Sequence, residues 1–165
     1  MIRRLKPSLL FGLLSAVLVA SCAPAIPEAI LRQVDRTIPV VSVAQDPDPF
    51  IGKGVLWGGT VLAVRNLARA TEMQVLERPL DGHRPDLQGP SSGRFLVVFN
   101  GFVDPALYPA GTAVTVAGRV SGRRAIPMDE VEIVVPVIDA IDVHIWKPEP
   151  PPQVHFGFGF GTVIH

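Results

Sequence analysis

Runs of alternating hydrophobic and polar positions along the middle of the chain predict β-strands. Residues 55–66 carry apolar side chains on both faces of an extended strand, which is typical of a strand covered on two sides. Within it, Gly58-Gly59 is interpreted as a bulge or bend. Further strands are predicted at residues 71–80, 94–99, 112–120, 131–135 and 137–146.

Turn and cap residues punctuate this pattern and suggest the architecture. Asp104 followed by Pro105 predicts the start of a short helix, because aspartate caps a helix and proline fits its first position. Pro109 and Gly111 end that helix. The order of elements predicts an all-β fold with little helix, an OB-like Greek-key barrel of five to six strands with the helix between strands 3 and 4. A β-sandwich is the competing architecture, but it would have more evenly spaced strands.

The N-terminal apolar run, residues 9–20, is too short to span a bilayer as a mature helix. Three basic residues precede it, and small residues lead to Cys22, the pattern of a bacterial lipoprotein signal. Since Cys22 is the single cysteine, it has no disulfide partner, and we expect it to be acylated and to anchor the protein to a membrane. The alternative is an ordinary secretory signal. Ala23, which is not an aspartate, favours the outer membrane.

Composition then divides the chain. The predicted regions are a removed signal peptide at 1–21, a lipidated N-terminus and tether at 22–46, a barrel domain at 47–146, and a mobile tail rich in Pro, Gly and Phe at 147–165. Without the signal the chain keeps 12 basic and 15 acidic residues, a net charge of about −3. This charge and the expected compartment disfavour a nucleic-acid partner.

Short motifs in a consistent order carry a family resemblance. Between Cys22 and Trp146 these motifs include Trp57-Gly58-Gly59, Arg78-Pro79-Leu80-Asp81, Gly93-Arg94-Phe95 and Gly101-Phe102-Val103-Asp104-Pro105. Together with the lipoprotein signal they resemble the Slp family of starvation-inducible outer-membrane lipoproteins of Gram-negative bacteria. The resemblance implies a lipid-anchored, periplasm-facing protein of stress or stationary phase, and it supplies no activity. The motif residues singled out as structural or binding candidates are Trp57, Gly58, Gly59, Asn66, Thr71, Glu72, Pro79, Leu80, Asp81, Gly93, Arg94, Phe95, Asp104, Pro105, Gly118 and Trp146.

No pattern of catalytic or metal-binding residues emerges from the sequence. The four histidines are scattered, and the acidic residues 129, 130 and 132 are typical of a solvated turn. We therefore expect no metal, no cofactor and no enzymatic activity, and a role through protein, glycan or small-ligand contacts instead. The alternative is a lipid-anchored, hydrolase-like enzyme, which a deep pocket that gathers titratable groups would favour.

Two motif residues invite specific hypotheses. Trp57 is interpreted as a core residue rather than as a ligand platform, because it lies on an apolar strand. Arg94 is interpreted as forming an ion pair with Asp81 or with Asp104, and the alternative is that Arg94 ends its strand at the surface.

Overall fold

A computed structural model describes residues 25–148 of the chain. Its two α-helices are α1 (Glu28–Leu31) and α2 (Val40–Gln45), and 3-10 helices cover Asp48–Phe50 and Pro105–Leu107. Its strands are β1 (Gly54–Asn66), β2 (Ala70–Arg78), β3 (Leu80–Asp81), β4 (Arg84–Pro85), β5 (Arg94–Asn100), β6 (Ala113–Met128) and β7 (Val131–Trp146).

Five of these strands close a barrel in the order β1-β2-β5-β7-β6, and β3 and β4 form a separate small hairpin. All neighbouring pairs in the barrel are antiparallel except β5 and β7, which run parallel. An all-β, OB-like five-stranded barrel was the predicted fold, and this closed, mixed barrel confirms it.

Alternate residues of the strands fill the barrel interior. Trp57 and Phe95 meet edge to face at its centre, with ring centroids 5.2 Å apart and planes at 66°. The indole Nε1 of Trp57 donates to the carbonyl oxygen of Ile38 at 2.8 Å, so its one polar atom is satisfied inside the core. The prediction that Trp57 is a core residue is confirmed.

Gly58 and Gly59 are needed for close approach rather than for a bulge. Both pair regularly with β2 and β6, and the irregularity in β1 falls later, between Val61 and Ala63. A Cβ on Gly58 would lie 2.4 Å from Cδ2 of Leu80, and a Cβ on Gly59 would lie 2.4 Å from the carbonyl oxygen of Leu76. The predicted bulge was therefore misplaced, because a glycine in a strand signals either a bulge or a crowded neighbour.

The segment predicted as a tether packs on the barrel over its described part. Ile26 is 1% exposed and lies against Leu56 and Ala117 on the outer surface of β1 and β6. Val40 and Val43 of α2 enter the main core. Among the described residues the packed body therefore extends back to Ile26, ahead of the predicted start at residue 47, because apolar side chains spaced by turns bury here without a regular period.

This segment also supplies the helix that packs into the barrel. The predicted helix between the third and fourth barrel strands is the 3-10 helix at Pro105–Leu107, which buries no residue. Asp104 caps it as expected, accepting a hydrogen bond from the Ala106 N–H at 2.9 Å. The helix that contributes to the core is α2, which precedes the barrel strands.

Strands β6 and β7 extend past the barrel as a long hairpin. Their ladder runs from Ala113–Trp146 to Met128–Val131 with register shifts at Ala117/Gly118 and Val120/Gly122, and Pro136 lies within it opposite Arg123. The two separate runs predicted around Pro136 are therefore one strand. Proline has no backbone N–H to donate to a neighbouring strand. A strand can continue through proline where that donor is not needed for pairing, as β7 does at Pro136.

Candidate functional site

The β3–β4 hairpin lies on the outer surface of the barrel and brings several family-motif residues together. Leu80 sits over Gly58, and it packs with the cluster formed by Ile26, Leu56 and Ala117. Leu80 and Asp81 pair with Pro85 and Arg84 to form the hairpin itself. The motif residues Gly58 and Leu80 are thus complementary parts of one contact that fixes the hairpin.

Trp146, at the end of β7, is held beside this hairpin by polar contacts. Its Nε1 donates to Oγ1 of Thr115 at 2.9 Å, and that hydroxyl donates to the carbonyl oxygen of His83 at 2.6 Å. The rings of His144 and Trp146 meet edge to face with centroids 4.5 Å apart, and the guanidinium of Arg84 lies 5.3 Å from the Trp146 ring centroid. A fixed aromatic surface with a cation over it is the result.

A groove of about 940 Å³ opens beside Trp146, between the hairpin and the loop that precedes β6. Large exposed apolar side chains gather there, with Leu107 at 59% and Leu87 at 44% exposure. Its volume is within the range of about 300–1,000 Å³ that ligand sites occupy. Its lining residues are Arg84, Pro85, Asp86, Leu87, Ala106, Leu107, Pro109, Ala110, Gly111, Thr112, Ala113, Ile145, Trp146, Lys147 and Pro148.

The charged groups of the groove lie on its wall. Arg84 donates from Nη2 to the carbonyl oxygen of Lys147 at 3.4 Å, which ties the hairpin to the chain after β7. Asp86 accepts from the Gln88 N–H at 3.0 Å and so shapes the turn after β4. Next to the groove, burial raises the pKa of Tyr108, with a smaller contribution from the charge of Asp142.

Thr71 is a second meeting point of motif residues, at the opposite end of β1. Its hydroxyl is fully buried and lies 2.5 Å from Oδ1 of Asn66 and 3.0 Å from the carbonyl oxygen of Gly101. It accepts from the Val103 N–H at 2.9 Å. One hydroxyl therefore fastens the β1–β2 turn to the chain that follows β5, a structural role.

Glu72 is a buried carboxylate on the outer surface of β2. Its side chain is 7% exposed, and it forms ion pairs with Arg124 of β6 and, at 3.7 Å, with Arg65 of β1. Burying a charge is unfavourable unless it is paired, so Arg124 and Glu72 depend on each other. Arg65 lies on the strand that the sequence already pairs with that of Glu72, whereas Arg124 lies outside the strands predicted from the sequence.

The remaining motif residues have structural positions. Phe95 packs in the core, Pro79 packs against Gly89, and a Cβ on Gly118 would lie 2.7 Å from Cδ1 of Ile138. Gly93 has a φ of 135° and accepts from the Glu77 N–H at 2.9 Å.

The ion pair predicted for Arg94 does not form. Among the described residues neither Asp81 nor Asp104 pairs with Arg94, and Asp104 instead caps its 3-10 helix with its carboxylate. Arg94 pairs through the backbone with Leu76 at the start of β5. The hypothesis was wrong because nearness of charges to turns does not say which strands become neighbours.

Several predictions concern residues outside the part of the chain that the structure describes. These include lipidation at Cys22, the signal peptide at 1–21 and nearly all of the tail, residues 149–165. Among the described residues, no three His, Cys, Asp or Glu side chains gather as a metal site would require. No helix within residues 25–148 has the length and hydropathy to cross a bilayer.

Sequence reasoning found Trp146 but missed the other residues of the groove and missed Arg124. Leu87 lies in the loop after β4 and Leu107 ends a 3-10 helix, and a single apolar residue in so short a segment carries no periodic signal. Their positions close to prolines were the available hint in the sequence, because turns are usually polar.

Comparison with known proteins places the chain in a family. The sequence profile described as "Outer membrane lipoprotein Slp family" matches residues 19–160. The chain is 39% identical over 84 residues to the "Uncharacterized lipoprotein YeaY" of Escherichia coli K12, covering 50% of this chain and 43% of that protein. It is 32% identical over 110 residues to the "Outer membrane protein Slp" of the same organism, covering 65% and 57%. The matched regions therefore span about half the length of these relatives.

Solved structures add only a distant likeness. A small single-stranded DNA-binding protein from Streptomyces coelicolor aligns with a TM-score of 0.39 at 18% identity, covering 57% of this chain and 94% of that one. A similarity this low supports no functional inference. The family match covers most of the chain and confirms the resemblance in the sequence: the chain belongs to the outer membrane lipoprotein Slp family, and its location is the outer membrane.

Proposed function

We propose that this protein is a non-enzymatic binding protein of the outer membrane, anchored by an acylated Cys22 and facing the periplasm, and that it serves adaptation to envelope stress or stationary phase. The groove beside Trp146 is its binding site, for the apolar part of a small ligand or of another envelope protein. The observation that carries the proposal is the gathering of Leu87, Leu107 and Ile145, all exposed, in this one groove.

Exposed apolar side chains on a folded surface usually mark a contact site when they are contiguous. Here they are joined by the fixed indole of Trp146, a residue type that contributes strongly to binding because it buries a large area with little loss of side-chain freedom. The ordered hydrogen bond from its Nε1 to Thr115 keeps that surface ready without a ligand. This readiness lowers the entropic cost of binding.

The chemistry of the lining supports binding rather than catalysis. Among the described residues that line the groove, Asp86 is the single carboxylate, so they offer no pair of carboxylates for acid–base work. Thr112 is the single hydroxyl among these residues, and none of them is a histidine that could act as a base. These features favour the binding function over the alternative of a lipid-anchored hydrolase.

The position of Cys22 bears on how the domain meets the membrane. Cys22 precedes the buried Ile26 by four residues, which an extended chain covers in at most about 14 Å. An acylated Cys22 would therefore hold the barrel close to the bilayer, because the linker between them is short. The Cys22→Ser variant should leave the outer-membrane fraction, and its full retention there would contradict the anchor.

Site-specific photo-crosslinking in living cells tests the groove. A photoreactive residue placed at Leu107 should capture a partner molecule, and the same residue at Leu67 serves as the matched control, because Leu67 is 46% exposed but does not line the groove. Trp146→Ala should reduce capture from position 107. Equal capture from both positions, or capture from neither, would argue against the groove as the binding site.

A further inference from the structure

Residues 122–135, the outer half of the β6–β7 hairpin, form an arm that is attached to the barrel differently from the rest of the two strands. β6 pairs with β1 only over residues 113–119, and β7 pairs with β5 only over residues 137–139. Beyond these limits the two strands pair with each other alone. The arm is therefore joined to the barrel sheet at its base, and its remaining contacts are made by side chains.

The arm covers the outer surface of β2 and β5. Ile126, Ile133 and Val135 of the arm pack against Leu96 and Val98 of β5. In OB-type barrels, oligonucleotides and oligosaccharides bind on the surface of the second and third strands, which are β2 and β5 here. The chain thus places part of itself over a surface that such barrels leave open.

The contact between the arm and the barrel is incomplete. A half-open cavity of about 360 Å³ lies between them, lined by Glu72 and Gln74 on β2 and by Arg124 and Ile126 on the arm. It is open to solvent on the side of Arg65, whose side chain is 77% exposed, so this part of the arm is not packed against β2. The ion pair of Arg124 with Glu72 spans the cavity and is the polar attachment of the arm to β2.

A hinge lies at the base of the arm. Gly122 has a φ of 155°, a region that favours glycine, and the pairing register shifts between Val120 and Gly122. A Cβ at Gly122 would meet nothing within 4 Å, so the site is also open. Next to it, Arg123 at the base of the arm donates from Nη1 to the carbonyl oxygen of Gln45 at 2.6 Å, which ties the base of the arm to the end of α2.

We propose that the arm is a hinged cover of the β2–β5 surface, which opens as a unit about Gly122 while the barrel stays folded, and which the Glu72–Arg124 ion pair holds closed. Opening leaves the β6–β7 ladder of the arm intact and exposes Leu96 and Val135. The proposal is independent of the groove beside Trp146, which lies at the opposite ends of the same two strands, at Ala113 of β6 and at Ile145 and Trp146 of β7.

Thiol labelling measures this opening, because the hydrogen bonds inside the arm would hide it from amide exchange. The full mature chain carries Cys22→Ser, so that one introduced thiol is present. Val135→Cys places that thiol under the arm at a position 1% exposed, and Val97→Cys places the control thiol in the barrel core at a position 0% exposed. We expect position 135 to react at least about tenfold faster than position 97 under native conditions.

Glu72→Gln should raise the labelling rate at position 135 by about tenfold or more and leave position 97 unchanged, because a charged hydrogen bond is lost. Glu77→Gln is the matched control on the same strand, since Glu77 accepts from Ser92 at 2.7 Å and 2.9 Å and does not line the cavity under the arm. Equal labelling at both positions, or equal acceleration of both by Glu72→Gln, would overturn the proposal. If Val135→Cys does not fold, Leu96→Cys, 5% exposed, takes its place.

Discussion

Two flanks of the same barrel are each covered by the chain's own segments, and they are covered by different means. Over β1 and β6, the N-terminal segment and the β3–β4 hairpin pack apolar side chains against the barrel, with Ile26 and Leu56 at most 2% exposed. Over β2 and β5, the arm is attached around a cavity by an ion pair of Glu72. Each flank has a half-open cavity, of about 320 Å³ beside Leu56 and Leu80 and of about 360 Å³ beside Glu72, but the first cover is apolar at its contacts and the second includes a buried ion pair.

The difference shows how one sheet can carry both a permanent and a releasable cover. Distributed apolar contacts contribute about 25 cal/mol for each Å² removed from water, and they offer no single contact whose loss frees the segment. On the other flank, the Glu72–Arg124 ion pair beside the cavity concentrates much of the attachment of the arm to β2 in one contact. The first flank is therefore expected to fail only when the barrel unfolds, whereas the second can open by itself.

The largest expected effect comes from Ile26→Ala on the flank over β1 and β6. Truncating this buried side chain should lower the free energy of unfolding by about 2–5 kcal/mol, because it removes apolar contact and leaves a cavity. Chemical denaturation measures the change. Val41→Ala, in the same segment but 42% exposed, is the control and should cost far less. If both variants lose the same small amount of free energy of unfolding, the N-terminal segment would be the tether that its sequence suggests.

That contrast also marks how far the sequence predicts the fold. The strands β1, β2, β5 and β6 alternate or run apolar for long enough to be recognised, and their order implies the barrel. Ile26, Ile38, Val40 and Val43 give no such signal, because prolines divide their segment into pieces shorter than any period.

The candidate sites are less predictable still, because they depend on contacts between distant parts of the chain. Trp146 stands out as an aromatic at a strand end, but the groove beside it needs Leu87 and Leu107 from two separate loops. Glu72 and Arg124 are 52 residues apart, and only the register of the closed barrel brings them together. Side-chain types alone cannot report that register.

A smaller effect is expected from Gly58→Ala. The added Cβ would lie 2.4 Å from Cδ2 of Leu80 and 3.0 Å from the carbonyl oxygen of Arg78, so the hairpin must move. We expect a loss of about 1–3 kcal/mol in the free energy of unfolding. Leu80→Ala in the same chain makes room, and the double variant should be more stable than the sum of the single changes implies. Strict additivity would show that Leu80 and Gly58 do not form one contact.

The two arginines of the other flank should differ in importance. Arg124→Gln should lower the free energy of unfolding by about 1 kcal/mol, because it leaves the buried Glu72 carboxylate without its nearer partner. Arg65→Gln should change it by less than about 0.5 kcal/mol, since Arg65 is 77% exposed and lies 3.7 Å away. Denaturation at low ionic strength measures both. A reversed order would mean that the arm is not attached mainly through Arg124.

The smallest expected effect concerns the charge of Asp35, in the N-terminal segment that covers β1 and β6. Hydrogen bonds to Oδ1 of Asp35 from the side chain of Thr37 at 2.6 Å and from its N–H at 2.8 Å lower the pKa of Asp35 below 3.8, and the charge of Lys53 adds to this. Because the folded-state pKa is depressed, the contribution to stability is present above about pH 4 and is lost as the pH falls through the folded-state pKa.

Thr37→Val removes the hydroxyl donor and keeps the N–H, so the pKa of Asp35 should rise towards 3.8, whereas Thr37→Ser should leave it in place. Carboxyl-carbon NMR titration follows the ionisation directly. The stability of either variant at pH 7 should hardly change, because Asp35 is exposed and its cover depends on apolar contacts. A large loss at pH 7 in Thr37→Val would place polar contacts among the attachments of this flank and would weaken the distinction between the two covers.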